Sequence, residues 1–263
     1  MGKMRLLLTN DDGIYAKGLW ALYKIFIRRH DVTVVAPDRE RSAVSHGITL
    51  YDPIRASKIS VDGLTGYAVT GTPADCIKLG IMELLEARPD MVILGINPGA
   101  NVGVDINYSG TVAAAREATL YGVPAIAISV FGQKTNNYDP AARFVEDLAI
   151  NVLRKGLPAG TLLNVNFPDM ETDESAAVSI SRQSTQIFSE YFEKRKDPRK
   201  CVYYWQVGQP QLDFESPNID AAVIRDNFIS ITPIKCDMTD YNMLETLKTW
   251  DWGKESRNKA VAS

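Results

Sequence analysis

Short apolar runs that break off into polar, glycine-bearing loops alternate along this chain with stretches whose apolar residues recur three and four apart. Arg5-Leu6-Leu7-Leu8 ends abruptly in Thr9-Asn10-Asp11-Asp12-Gly13, and Leu19, Leu22, Tyr23 and Phe26 then follow at helical spacing. That order predicts strand, loop and helix. Val32-Thr33-Val34-Val35-Ala36 is a β-branched run closed by Pro37; a polar, charged stretch follows it, and Ile48-Thr49-Leu50 predicts a return to extended chain. Gly66–Thr70 predicts another strand. Thr72-Pro73 supplies an N-cap followed by proline at the first helical position, which opens a helix over Ala74–Leu85. Met91–Leu94, Ala125–Ser129 and Leu162–Asn166 predict further strands, with an alanine-rich helix after Thr111 and another over Ala141–Leu153.

This alternation predicts an α/β fold of three layers, α/β/α and Rossmann-like, around a mostly parallel sheet, because near-continuous apolar strands need cover on both faces. From Pro168 the texture turns polar and aromatic, with Tyr191, Phe192, Tyr203, Tyr204, Trp205, Trp250 and Trp252 in weak periodicity. The expectation is a core over residues 1–167 and, over 168–263, a C-terminal strand-and-arm extension that completes the domain. Met243, Leu244, Leu247 and Trp250 stripe one helical face, which needs cover from its own subunit or from a neighbour.

Composition narrows the function classes. The 263 residues are 45% hydrophobic, enough for a sizeable core without cross-links. Lys and Arg number 29 against 32 Asp and Glu, so a formal charge of -3 excludes a global field that would steer the protein to a nucleic acid duplex or an anionic membrane. Cys76, Cys201 and Cys236 form no CxxC pair, which argues against a disulfide framework or zinc knuckle and predicts a reduced, cytoplasmic setting. No run approaches the roughly 18 apolar residues of a membrane span, and Met1–Arg5 leads straight into a strand rather than a signal segment.

Three polar loops, Asn10–Gly13, Pro37–Gly47 and Gly95–Thr111, each follow an apolar strand. In an open parallel sheet, ligands bind beyond the carboxyl ends of the strands where strand order reverses, so these loops are expected to meet at one edge. Asp11 and Asp12 are adjacent carboxylates on a tight turn; hard oxygen donors of this kind suit magnesium, manganese or calcium, while an Asx-turn is the plainer alternative. Asn97 and Asn101 are neutral oxygen donors or simple turn formers, and Ser42 a loop hydroxyl. Tyr108-Ser109-Gly110-Thr111 precedes a helix, where free backbone N–H groups and two hydroxyls make either a phosphate site or an ordinary N-cap. A carboxylate-held cation beside a phosphate cradle points to phosphoryl chemistry. No GxxxxGK[ST] loop and no G-x-S-x-G elbow offers an alternative. Of the two histidines, His30 is expected on the surface at the end of a basic helix, and His46 lies in the second polar loop.

Thr9-Asn10-Asp11-Asp12-Gly13-Ile14, Pro37-Asp38-Arg39-Glu40-Arg41-Ser42, Gly71-Thr72-Pro73-Ala74-Asp75-Cys76, Gly95-Ile96-Asn97 with Gly99, Asn101 and Gly103, and Tyr108-Ser109-Gly110-Thr111-Val112 together resemble the SurE (survival protein E) family of nucleotidases. Ile229–Pro233 and Thr239-Asp240-Tyr241 extend the likeness over nearly the whole chain. Ala43 stands where that family more often has glycine. The resemblance implies one divalent ion per subunit, Mg2+ or Mn2+, held by Asp11, Asp12, Ser42 and Asn97. It implies phosphate contacts from Asn101, Ser109, Gly110 and Thr111, with Asp11, Asp12 and Asn97 as the catalytic group. It further implies hydrolysis of nucleoside 5′- and 3′-monophosphates, side activity on short polyphosphate, and homodimers or homotetramers in which the C-terminal arm reaches a neighbour. Two rivals remain: a non-catalytic nucleotide-binding or assembly protein, and an aspartyl-phosphate phosphatase, whose two-apart Asp spacing Asp11-Asp12-Gly13 breaks.

Overall fold

The computed structural model describes residues 2–132, 137–168, 176–185, 189–209 and 216–252. In chain order the first half comprises β1 (Arg5–Thr9), α1 (Lys17–Phe26), β2 (Asp31–Pro37), β3 (Ala56–Val61), β4 (Leu64–Val69), α2 (Pro73–Leu79), β5 (Met91–Pro98) and α3 (Gly110–Leu120). The second comprises β6 (Ala125–Val130), α4 (Asp139–Lys155), β7 (Thr161–Phe167), β8 (Val178–Ile180), β9 (Ser189–Lys196), β10 (Val202–Gln209), α5 (Asp220–Arg225), β11 (Ile229–Lys235) and α6 (Tyr241–Lys248). One sheet runs β3-β4-β2-β1-β5-β6-β7-β11-β8, and β9 with β10 forms a separate hairpin.

From β4 through β2, β1, β5 and β6 to β7 the pairings are parallel; β3 on β4 and β11 on β7 are antiparallel. The central strands are apolar on both faces because helices cover both. Leu6 and Leu8 pack toward α1 and α4, whereas Leu7 between them packs toward α2 and α3. This is the three-layer, mostly parallel α/β/α arrangement expected from the pattern, and the order of strands reverses between β1 and β5.

Three local expectations are corrected. Ile48-Thr49-Leu50 joins no strand; the chain there is held by side chains instead, with the Thr49 N–H and hydroxyl on the Asp75 carboxylate. The extended segment lies later, in β3, a solvent-facing edge strand with little apolar signal. The α-helix opened by Thr72 has the expected capping box with Asp75, but it ends at Leu79 and gives way to a π turn over Gly80–Leu84. His30, expected on the surface, is buried: its ring packs near Phe26, accepts the Met4 N–H, and lies 3.6 Å from Glu146. Burial holds its pKa below the ordinary histidine value, ahead of the opposing pull of Glu146.

Candidate active site

The three polar loops meet over the carboxyl ends of β1, β2 and β5 and line a cavity of about 770 Å³. Asp11, Asp12, Ser42, Asn97, Asn101 and Ser109 all contribute to its wall. So do Glu40, Asp105, Tyr108 and Gln206, the last from β10.

Asp11 is buried against the amino end of α3. The Thr111 hydroxyl donates to Asp11 Oδ1, and the backbone N–H groups of Gly110 and Thr111 also favour its ionised form. Burial nevertheless outweighs these and raises its pKa above the ordinary carboxylate value. Gly110 is required by this close approach, since a Cβ there would stand 2.8 Å from both Cβ and Oδ2 of Asp11. Asp12 is pushed up to about 7 by burial, then by Asp11 and then by Glu40. Its Oδ2 is buried with no hydrogen-bond partner.

The second loop is tied down on both sides of the cavity. Arg41 N–H donates to Asp11 O, Ser45 N–H donates to Tyr108 O and the Ser45 hydroxyl donates to Asn107 O, at 2.7, 3.0 and 2.7 Å. Between these anchors the Ser42 hydroxyl donates to Glu40 Oε1 at 2.6 Å. Ala43 and Ser45 adopt the left-handed conformation, with φ of 54° and 52°, a region that favours glycine, so Ala43 holds a strained backbone there. His46 is not part of the cavity wall; its Nε2 lies 2.7 Å from Glu117 Oε2 on α3.

The third loop is held from β6, β7 and the C-terminal chain. Asn97 Nδ2 donates to Gly99 O, which leaves Oδ1 as the acceptor of that amide. Asn101 N–H donates to Asn166 Oδ1 and its Nδ2 to Ser129 Oγ, while its carbonyl accepts from Asn164 and Asn166. Asp220, fully buried, accepts from Gly103 N–H and Ser184 N–H and so fastens the loop to α5. Ser109 reaches the cavity wall, but its hydroxyl accepts from Val112 N–H as the N-cap of α3. Thr111 is wholly buried behind Asp11.

The sequence motifs include Glu40 and Tyr108 but give neither a role, and they leave out Asp105 and Gln206. Glu40 sits inside the Pro37–Ser42 motif, which was its available signal; nothing local marks Gln206. Among the described residues, no cluster of three or more His, Cys, Asp and Glu suited to a metal ion occurs. The donors that fit a cation here are mixed. Two carboxylates, one with an unpartnered buried oxygen, stand beside a hydroxyl and an amide oxygen, a set that matches a hard divalent ion.

Comparison with known proteins bears on this geometry. The family model described as Survival protein SurE matches residues 6–190. The chain belongs to the SurE family. It is 54% identical over 248 residues to a protein of Desulfatibacillum aliphaticivorans named 5′-nucleotidase SurE, covering 94% of this chain and 98% of that one. A protein of the same name from Syntrophobacter fumaroxidans is 45% identical, covering 94% and 100%. The crystal structure of the SurE protein from Aquifex aeolicus superposes with a TM-score of 0.81 at 36% identity, covering 92% of this chain and 98% of that one. The matched region spans all three SurE loops.

Geometry assigns Thr111 a role that its relatives' names do not. Replacing it by valine keeps the shape but removes the hydroxyl that orients Asp11. About 1–3 kcal/mol of stability is expected to go with that buried hydrogen bond, and the affinity for a divalent ion at Asp11, read by calorimetry, to fall about 10–100-fold. In Ser109→Ala about 1 kcal/mol of stability is lost with the cap while ion affinity holds, so affinity and not stability separates the two residues.

Proposed function

We propose that this chain is a metal-dependent phosphomonoesterase that hydrolyses nucleoside 5′- and 3′-monophosphates to nucleoside and phosphate, using one Mg2+ or Mn2+ per subunit. The activity follows the 5′-nucleotidase name shared by its relatives. One observation carries the metal dependence. Asp11, Asp12, Glu40 and Asp105 line the cavity, and no Lys, Arg or His does among the described residues. A phosphate monoester dianion would be repelled from that wall unless a cation first neutralised it. The unpartnered Asp12 oxygen supports the same conclusion.

In this reading Asp11 and Asp12 give the ion its formal counter-charge, and Ser42 and Asn97 add neutral donors. When bound, the ion supplies Lewis-acid polarisation of the phosphoryl group and lowers the pKa of water. Asn101, Ser109 and the backbone of Gly110 face the phosphate, and the positive end of α3 offsets charge on its equatorial oxygens. Thr111 acts from behind, by fixing Asp11. Asn97 completes the catalytic group with the two aspartates. Release of phosphate from adenosine 5′-monophosphate, with manganese and with chelator, tests the proposal. Turnover that needs the ion is expected. No release in either condition sinks it, and so does full turnover in chelator. Trapping of a phospho-enzyme mimic by a metal fluoride would favour the aspartyl-phosphate rival.

The same reading extends to short polyphosphate as a side substrate, to a cytoplasmic setting and to a homodimer or homotetramer. No described helix is long and apolar enough to cross a membrane. α6 buries none of its residues on its own subunit, which supports a neighbour as the cover for Met243 and Leu244. Deleting the chain from Asn242 onward is expected to shift the protein to a smaller species in light scattering. An unchanged, stable oligomer would count against the arm.

A further inference from the structure

The cavity holds far more than a phosphate needs, and its wall includes residues that fit neither the ion nor the phosphate. Tyr108 immediately precedes Ser109, the cap of the helix to which the phosphate is assigned. Its backbone is fixed on both sides, by its N–H on Asp105 O at 2.9 Å and by Ser45 N–H on its carbonyl at 3.0 Å. Yet its ring is not part of the core: Tyr108 is 58% exposed and lines the cavity. An aromatic ring on a fixed backbone, left open to a ligand cavity, offers a flat face for stacking. The same cavity is lined by Gln206, which β10 carries in from a hairpin otherwise outside the sheet. Its amide combines a donor and an acceptor.

We propose that Tyr108 and Gln206 form the nucleoside-recognition end of the cavity, with the base stacked on the Tyr108 ring and its polar edge met by the Gln206 amide. The placement rests on the reading that phosphate occupies the amino end of α3. Tyr108 and Ser109 are chain neighbours that line one cavity, so a ligand whose phosphate sits at the cap has the ring within the same wall for the rest of its length. Stacking is tolerant of base identity, since every base has a π face, so this end selects nucleotides over other phosphomonoesters more than one base over another. A competing recess of about 200 Å³, walled by Ala100, Val102, Phe131 and Ile224 among others, shares Ala100 with the main cavity.

The test compares adenosine 5′-monophosphate with ribose 5-phosphate, which has the same phosphate and sugar but no base. Tyr108→Ala is expected to raise KM for the nucleotide about tenfold and leave ribose 5-phosphate unchanged; Gln206→Ala follows the same pattern more weakly. Tyr108→Phe keeps near-normal values because it keeps the ring. Equal losses on both substrates, or a Phe variant as impaired as Ala, overturn the proposal. A base-selective loss in Phe131→Ala, with Tyr108→Ala unaffected, overturns it in favour of the second recess. Adenosine binding, followed by saturation-transfer NMR, separates this inference from the phosphatase reading. If the wild type hydrolyses nothing but its adenosine signal is lost in Tyr108→Ala, the hydrolase reading fails and the recognition end stands. If adenosine binds both equally, the recognition end fails whatever the turnover.

Discussion

Asp12→Asn is expected to cut turnover by roughly 10²-fold or more while making the metal-free protein more stable. The first effect removes one of two formal counter-charges to the ion. The second follows from the sign of the pKa shift. Asp12 is raised from the ordinary carboxylate value of 3.8 to about 7, by burial first and then by Asp11 and Glu40. Between those values the folded state binds a proton that the unfolded chain has already lost, so stability falls as pH rises through the window and is lowest above about 7. Asparagine carries no such penalty. In chelator at pH 8 the variant is expected to exceed the wild type by about 2–4 kcal/mol, and near pH 4 the difference should shrink toward zero. Urea unfolding at the two pH values reads this directly. Divalent ion should reverse the ranking by stabilising only the wild type appreciably. Near-normal turnover of Asp12→Asn at low metal would remove Asp12 from the site.

Gly18→Ala is expected to destabilise by about 3 kcal/mol or more, although it puts a better helix former inside α1. On propensity alone the change gains about 1 kcal/mol. The helix, however, crosses the start of the third loop so closely that a Cβ at Gly18 would stand 2.1 Å from Ile96 O and 3.0 Å from Ile96 C and N. Backbone cannot swing aside as a side chain can, so either α1 or the peptide before Asn97 must move. Activity should therefore fall along with the thermal midpoint, even in folded protein, since Asn97 follows Ile96 directly. A variant as stable and active as the wild type would show that α1 shifts without cost.

The central strands were legible because burial on two faces writes itself as a near-continuous apolar run: Leu6–Leu8, Val32–Ala36, Met91–Leu94 and Ala125–Ser129 all lie within strands. Strands that face water leave no such trace. β3 is largely exposed, so its residues are free to be Ser and Lys, and the β-branched pair Ile48-Thr49 drew the expectation to a loop instead. The β9–β10 hairpin carries exposed aromatics, including Tyr191, Phe192, Tyr204 and Trp205, which blurs the alternation that burial would impose. Within the site, the ligand-bearing loops could be gathered by fold logic alone. Contacts across the fold could not: the partner of Thr111 lies 100 residues away at Asp11, and Gln206 reaches the cavity only because of how the hairpin leaves the sheet. His30 misled for the same reason, since Met4 and Glu146 enclose it from other elements.

The antiparallel pairing of β11 with β7 has a consequence for how the chain is made. β7 is buried along its whole length, and its Asn164 and Asn166 help hold Asn101, but one of its two edges is covered only by residues Ser230–Lys235. On the ribosome, the parallel strands through Phe167 emerge some sixty residues before that cover exists. During that interval one edge of β7 has no strand beside it, the kind of edge on which nascent chains associate with one another. A chain interrupted before β11 is therefore expected to aggregate rather than to persist as a smaller, working enzyme.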